Sequence, residues 1–257
     1  MGRYISYMAG LSPLETEILL EKLMQKEKGI AQNNINRSIQ DKFSYSKEFS
    51  RMITKVRNMH TDIGKELETP QIEVVKDDSR AYCRYNPDIS SKVRKKLKEF
   101  EMHAAASPKK QKFAGYLYSD RDWVECTQVD MMGYICDRQI RYLYSGNDLD
   151  FKPLTQKNIS NDIGISFSSV CRLLRRLTIS LDQRIIFANE LVPGSSLDII
   201  RGTAALKELM QDREYYDSEW KIADHKLKAI LASNYDVWIS RRTVSKYRQI
   251  IKQQASQ

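Results

Sequence analysis

Histidine, cysteine, glycine and proline are scarce in this chain, and each scarcity removes a class of explanation. The three histidines (His60, His103, His225) stand singly, and the four cysteines (Cys83, Cys126, Cys136, Cys171) include no CxxC pair. Neither a zinc site nor a disulfide framework is expected, and a reducing cytoplasm is the default. Only 10 glycines and 6 prolines, beside 41% hydrophobic and 29% charged residues, argue against disorder over most of the 257 residues and leave room for two or three small domains. No apolar run approaches the roughly 18 residues of a membrane span, and the N-terminus lacks a signal-peptide core, so a soluble protein with no membrane partner is expected. Clustered carboxylates are absent too, and Tyr247 beside Arg248 lacks the wider Arg/His set of a tyrosine recombinase. No enzyme activity and no cofactor are expected.

What the chain does have is positive charge. A formal net charge of +9 suits a polyanionic partner, and from Trp220 to Gln257 eight Lys or Arg face two Asp. The excess centres on Ser240-Arg241-Arg242-Thr243-Val244-Ser245-Lys246-Tyr247-Arg248-Gln249. Val244, Tyr247 and Ile251 recur at i, i+3, i+7, one stripe of a helix, with Arg241, Arg242, Ser245, Lys246 and Arg248 around the rest. Ser240 suits an N-cap. A charge run alone is more often a solvated surface helix, but an arginine-rich face on an apolar stripe is also what a groove-reading helix needs.

A second constellation occupies 154 to 177. Ile159, Ser160, Ile163, Gly164, Ile165, Val170 and Leu173 fit the packing template of a helix-turn-helix, with Gly164 at the turn and Ser166 as second N-cap. Its outward face would carry Phe167, Ser168, Cys171, Arg172, Arg175 and Arg176. A helical hairpin with a glycine turn is the plain alternative. Elsewhere the pattern predicts helices at 11–27, 45–60, 92–105, 109–144, 199–210 and 223–231, with Asn33, Asn34 and Asn36 marking a loop. Alternation across 70–85 about Lys76-Asp77-Asp78-Ser79 predicts a hairpin, the only sheet expected. Phe113, Tyr116, Leu117, Trp123, Val124, Met131, Ile135 and Ile140 are the expected anchors of the long helix. The fold class is thus mainly α: a multi-domain helical protein with helix-turn-helix DNA-binding modules and one small β-hairpin.

The Ser240–Gln249 run resembles the RpoN box, ARRTVAKYRE, the C-terminal signature of the sigma-54 family; Arg241, Arg242, Thr243, Val244, Lys246, Tyr247 and Arg248 are identical to it. Ile222 to Leu231 is similar to the family's lead-in. Ser169-Val170-Cys171-Arg172 stands where members carry Thr-(Ile/Val)-Ser-Arg, and Thr69–Val74 with Tyr85-Asn86-Pro87 resembles the strand pair of the core-binding region. Trp123 to Tyr142 is similar to the long helix before the family's helix-turn-helix. The division this implies is 1–68 a divergent N-terminal helical segment, 69–150 a core-polymerase-binding-like region, 151–192 the helix-turn-helix, 193–198 a linker and 199–257 the RpoN-box domain.

The resemblance implies a bacterial, nucleoid-associated initiation factor. It would bind core RNA polymerase and recognise promoter DNA with −24 and −12 elements, the RpoN box reading the former and the helix-turn-helix lying near the latter. By position Arg241 and Arg242 would read bases, Lys246 and Arg248 would hold phosphate, and Thr243 and Ser245 would assist. Ser168, Ser169, Arg172 and Arg175 would serve DNA from the first motif. Members depend on an AAA+ activator because a glutamine- and leucine-rich N-terminal region blocks melting, and residues 1–40 show no such repeat. Leu11-Ser12-Pro13-Leu14-Glu15 reads as its remnant or as a shortened start of the core-binding region; the family's phenylalanine-rich segment is reduced to Ile185-Ile186-Phe187. The alternative is a DNA-binding regulator that competes at such promoters without sigma activity.

Overall fold

In the computed structural model, the structure describes residues 10–30, 54–56, 69–104, 108–211 and 222–255. The predicted loop at 33–36, and the predicted 45–60 helix apart from 54–56, lie outside them. Two compact units divide the chain: Met1–Tyr134 with Gln156–Glu190, and Ile135–Thr155 with Leu191–Gln257.

The first unit opens with helix α1, Pro13–Ile30. Ser12 and Glu15 cap it reciprocally: the Ser12 amide donates to Glu15 Oε2 at 2.9 Å and the Glu15 amide donates to Ser12 Oγ at 3.2 Å. Leu19, Leu20 and Leu23 are buried, and α1 packs on α2, Pro87–Ala104. Asn86 starts α2, its Oδ1 accepting from the Asp88 amide, and proline at the first helical position needs no amide partner. The inner face of α2 repeats Ile89, Val93, Leu97, Phe100 and Ala104.

Helix α3, Pro108–Arg138, buries Ala114, Leu117, Val124, Met131 and Met132, whereas Tyr116, predicted as an anchor, is exposed. Between α2 and α3 lies a polar network. Arg121, 1% exposed, donates from Nε to Glu125 Oε1 at 2.9 Å and from a terminal nitrogen to the Tyr85 hydroxyl. The other Glu125 oxygen accepts from Ser90 Oγ at 2.8 Å and from Arg94 at 3.3 Å. Burial pushes the Tyr85 phenol pKa upward against the neighbouring Arg121 charge.

The sheet corrects the sequence reading. Strands β1, Ile72–Asp77, and β2, Arg80–Tyr85, form the predicted hairpin, but it is half of a sheet ordered β2-β1-β3-β4. Strand β3, Thr178–Leu181, runs parallel to β1 and pairs antiparallel with β4, Arg184–Phe187. Asp182 and Gln183, both at positive φ (48° and 65°), join β3 to β4 in a two-residue turn of the type that usually demands Asn or Gly. Without those residues the turn left no mark in the sequence. The Gln71 amide donates to the Thr178 carbonyl at 3.0 Å and so ties the two hairpins together.

In the second unit the run predicted as one helix to 144 is interrupted at Gln139, after which α4, Ile140–Ser145, begins. Gln139 is fully buried; its Nε2 donates to the Lys152 and Leu191 carbonyls, and its Oε1 accepts from the Lys152 amide. Gly146, at φ 65°, ends α4 as the sequence predicts. The expected linker is a short 3-10 turn, Gly194–Ser196, whose Gly194 amide donates to the Leu154 carbonyl.

Helix α7, Leu197–Gln211, then packs with two further helices, α8, Asp224–Tyr235, and α9, Arg241–Ala255. Their core holds Ala205, Leu206 and Leu209 of α7, Leu227 and Leu231 of α8, Val237 and Ile239 of the connection, and Val244 and Ile251 of α9. Among the described residues no helix is long and apolar enough to cross a membrane.

Candidate nucleic-acid interface

Helix α9 is fixed in place by the connection that leads into it. Helix α8 ends at Asp236, held at φ 50°, and the Asp236 and Val237 amides both donate to the Leu231 carbonyl. The chain then alternates: Val237 inward, Trp238 outward, Ile239 inward, Ser240 outward. Gly202 of α7 makes room for this passage, since a Cβ there would stand 3.1 Å from Ile239 Cδ1 and 3.3 Å from Val237 Cγ1. Ser240 caps α9 as the sequence predicts, its Oγ accepting from the Thr243 amide at 3.1 Å.

With Val244 and Ile251 in the core and Tyr247 partly buried against it, a 100° step per residue puts Arg242, Ser245, Lys246 and Gln249 on the opposite face, with Arg241 at its edge. Arg241, Arg242, Lys246 and Gln249 are exposed and Ser245 is half-buried. Thr243 and Arg248, beside that face, have partners within the protein. The Thr243 hydroxyl lies 2.8 Å from Ser240 Oγ. Arg248 reaches back to α8, donating to the Ile222 carbonyl at 2.7 Å and to Asp224 Oδ1 at 2.8 Å. It therefore secures the start of α8.

The helix-turn-helix of the first unit comprises α5, Gln156–Ile163, and α6, Phe167–Leu174. Gly164, at φ 77°, makes the turn, and Ser160 Oγ locks it by donating to the Ile165 carbonyl at 2.7 Å. Ser166 caps α6 through the Ser169 amide. Ile159, Val170, Leu173 and Leu174 are buried, and Gln128 of α3 donates to the Leu173 carbonyl at 3.0 Å. Ile165, predicted to pack inward, is only half-buried.

The outward face of α6 carries Phe167 and Ser168, both exposed, with Cys171 and Arg172 half-buried beside them. Arg172 Nε donates to the Ser168 carbonyl at 3.0 Å, and the Cys171 thiol donates to Gln156 Oε1. Ser169 is buried, its hydroxyl 2.9 Å from that of Ser166. Arg175 and Arg176 leave the predicted face because α6 ends before them: Arg175 is extended and Arg176 has φ 53°. Both turn to Glu15, which is fully buried; Arg175 lies 3.3 Å and Arg176 3.2 Å from its carboxylate, and Arg175 also donates to the Gly10 carbonyl at 2.6 Å. A helical wheel assumes that the helix continues, and here it does not.

Two features escaped the sequence reading. Glu15, seen only as part of an N-terminal helix, is the anion that holds the arginines after α6. Trp238, read as a mere lead-in, is 71% exposed, and the alternation Val237-Trp238-Ile239 could have announced it.

Both helical surfaces fall within one family match. The family model described as Sigma-54, DNA binding domain, matches residues 125–257, which include α5–α6 and α9. No curated protein matches the chain.

Proposed function

The chain belongs to the sigma-54 family of transcription factors, and from that premise we propose how its promoter-binding role is divided among its residues. Helix α9 enters the major groove of the −24 element. Arg241 and Arg242 read base edges, where the guanidinium fork pairs bidentately with guanine, and Lys246 neutralises phosphate. Ser245 assists from the same face, while Thr243 and Arg248 keep the helix start and its α8 support in place. Helix α6 approaches the −12 side with Ser168 and Arg172; Ser169 and Arg175 hold that motif together from behind. The region 69–150 docks on core RNA polymerase, which makes the chain an initiation factor.

The observation that carries this reading is the exposed Arg241, Arg242 and Lys246 on a helix whose opposite stripe, Val244 and Ile251, is locked in a core. The test uses the full chain twice. Fluorescence anisotropy should show tighter binding to a −24/−12 duplex than to a scrambled one, by the 10³-fold or more typical of specific sites. Gel filtration should show co-elution with core polymerase at micromolar concentration. Equal affinity for the two duplexes defeats the groove assignment. Specific DNA binding without co-elution leaves a promoter-bound regulator that does not recruit polymerase.

A further inference from the structure

The strongest unexplained feature of the surface is Trp238. It is the most exposed of the large hydrophobic residues among those described, at 71%. An exposed indole commonly finds use for its N–H, but this one is engaged: Trp238 Nε1 donates to Asp236 Oδ1 at 3.0 Å. Asp236 is itself fixed by its left-handed backbone and by the hydrogen bond its amide donates to the Leu231 carbonyl. What the ring presents to solvent is therefore apolar surface with its polar atom already satisfied, and both neighbours, Val237 and Ile239, are anchored in the core. A ring held from both sides in this way loses little freedom on being covered.

Its position says what covers it. Arg241 follows Trp238 by three positions, a span of at most about 11 Å even for an extended chain. That is inside the roughly 12 Å width of a major groove. Trp238 and the cationic face of α9 both point away from one core, the former because Val237 and Ile239 point in, the latter because Val244 and Ile251 do. Exposed Trp238 thus stands three and four positions before exposed Arg241 and Arg242, whose charge suits a polyanion.

We propose that Trp238 is a further DNA contact, an apolar prop whose ring packs on deoxyribose carbons of the strand bordering the groove that α9 enters. It rests on the reading of α9 as the promoter-binding helix and adds to it a residue that carries no charge. Because the indole N–H is held by Asp236, the contact is to sugar rather than to phosphate oxygen. Its contribution is accordingly independent of base sequence and of salt. Covering roughly 60 Å² of apolar surface corresponds to about a tenfold gain in affinity.

The test compares the native chain with Trp238→Ala and Trp238→Phe on labelled promoter and scrambled duplexes at low and moderate salt. Trp238→Ala should weaken binding to both duplexes by about tenfold and leave the dependence of log K on log salt unchanged, since no counterion is released on its account. Trp238→Phe should recover most of the loss. The DNA-induced change in tryptophan emission should vanish in Trp238→Phe although Trp123 and Trp220 are still there. Native-like affinity in Trp238→Ala overturns the proposal. A loss confined to the promoter duplex also overturns it, because that marks a base contact, and so does a salt slope reduced by about one, because that marks a displaced arginine. If Trp238→Ala lowers the melting temperature, the emission change in Trp238→Phe decides alone. Failure of the native chain to bind either duplex falls on the reading of α9; native binding with an indifferent Trp238 falls on the prop only.

Discussion

Lys246 and Arg248 lie two residues apart on α9, carry the same charge and match the same family signature, yet the structure gives them different surroundings. Lys246 is exposed on the outer face; Arg248 is bonded to Asp224 and to the Ile222 carbonyl, with 14% and 25% of the Arg248 and Asp224 side chains exposed. Replacing each by alanine should separate salt-dependent binding from stability. If Arg241, Arg242 and Lys246 each neutralise one phosphate, α9 contributes a slope of about −2.7 to log K against log salt, a fall of roughly fortyfold between 50 and 200 mM. Removing Lys246 should bring that contribution to about −1.8 and the fall to roughly twelvefold, with the melting temperature unchanged. Removing Arg248 should leave the slope alone and cost on the order of 1–2 kcal/mol, the loss of charge-assisted hydrogen bonds discounted for partial exposure. At roughly 2–4 °C per kcal/mol for a chain of this size, the melting temperature should fall by about 2–8 °C. Anisotropy titrations at several salt concentrations, with differential scanning fluorimetry on the same preparations, read both quantities. The reasoning fails if Arg248→Ala flattens the slope by about one and melts like the native chain, because Arg248 would then have left Asp224 for phosphate.

Arg242→Ala should cost about 1–3 kcal/mol on the promoter duplex and relax discrimination against the scrambled one; parallel losses on both would assign Arg242 to phosphate instead. Glu125→Ala strands the buried Arg121 charge with Tyr85 as its remaining polar neighbour, so about 3–5 kcal/mol of stability should be lost. Thermal melting lowered by less than about 2 °C would contradict it. Gly202→Val should crowd Ile239 and Val237 and cost roughly 1–3 kcal/mol. Gly202→Ala should be close to neutral, because about 1 kcal/mol of helix propensity offsets a tight methyl contact, and equal melting of the two variants would show that the connection yields freely.

How much of the fold was legible depended on whether its cause was local. The Ser12-Pro13 start of α1, the Gly146 stop, the Gly164 turn and the Ser166 and Ser240 caps are set by residues within one turn of each other, and each stands where the sequence places it. The stripe Val244, Tyr247, Ile251 is a local pattern as well, and it fixed the orientation of α9 in advance. The second hairpin was not legible. Its strands are short and its turn holds Asp182 and Gln183 at positive φ without a glycine, while its partner β1 lies about a hundred residues upstream. The break at Gln139 is of the same kind, since the carbonyls of Lys152 and Leu191 that occupy its side chain are distant in the chain.

The same boundary runs through the candidate site. A helical wheel gives the direction in which a side chain leaves its helix, and Arg241, Arg242, Lys246 and Ser168 are exposed in that direction, with Arg172 half-buried. It gives no partner. Arg248 and Arg175 have the residue type and spacing of DNA ligands, but each meets a carboxylate brought in from elsewhere, Asp224 and Glu15. A partly buried guanidinium with a carboxylate within hydrogen-bond distance is held there, because leaving would strand the carboxylate in a poorly solvated place. Sequence identity to a family signature therefore shows which residues are kept together, whereas the anions that hold Arg248 and Arg175 are visible only once the fold brings them to those side chains.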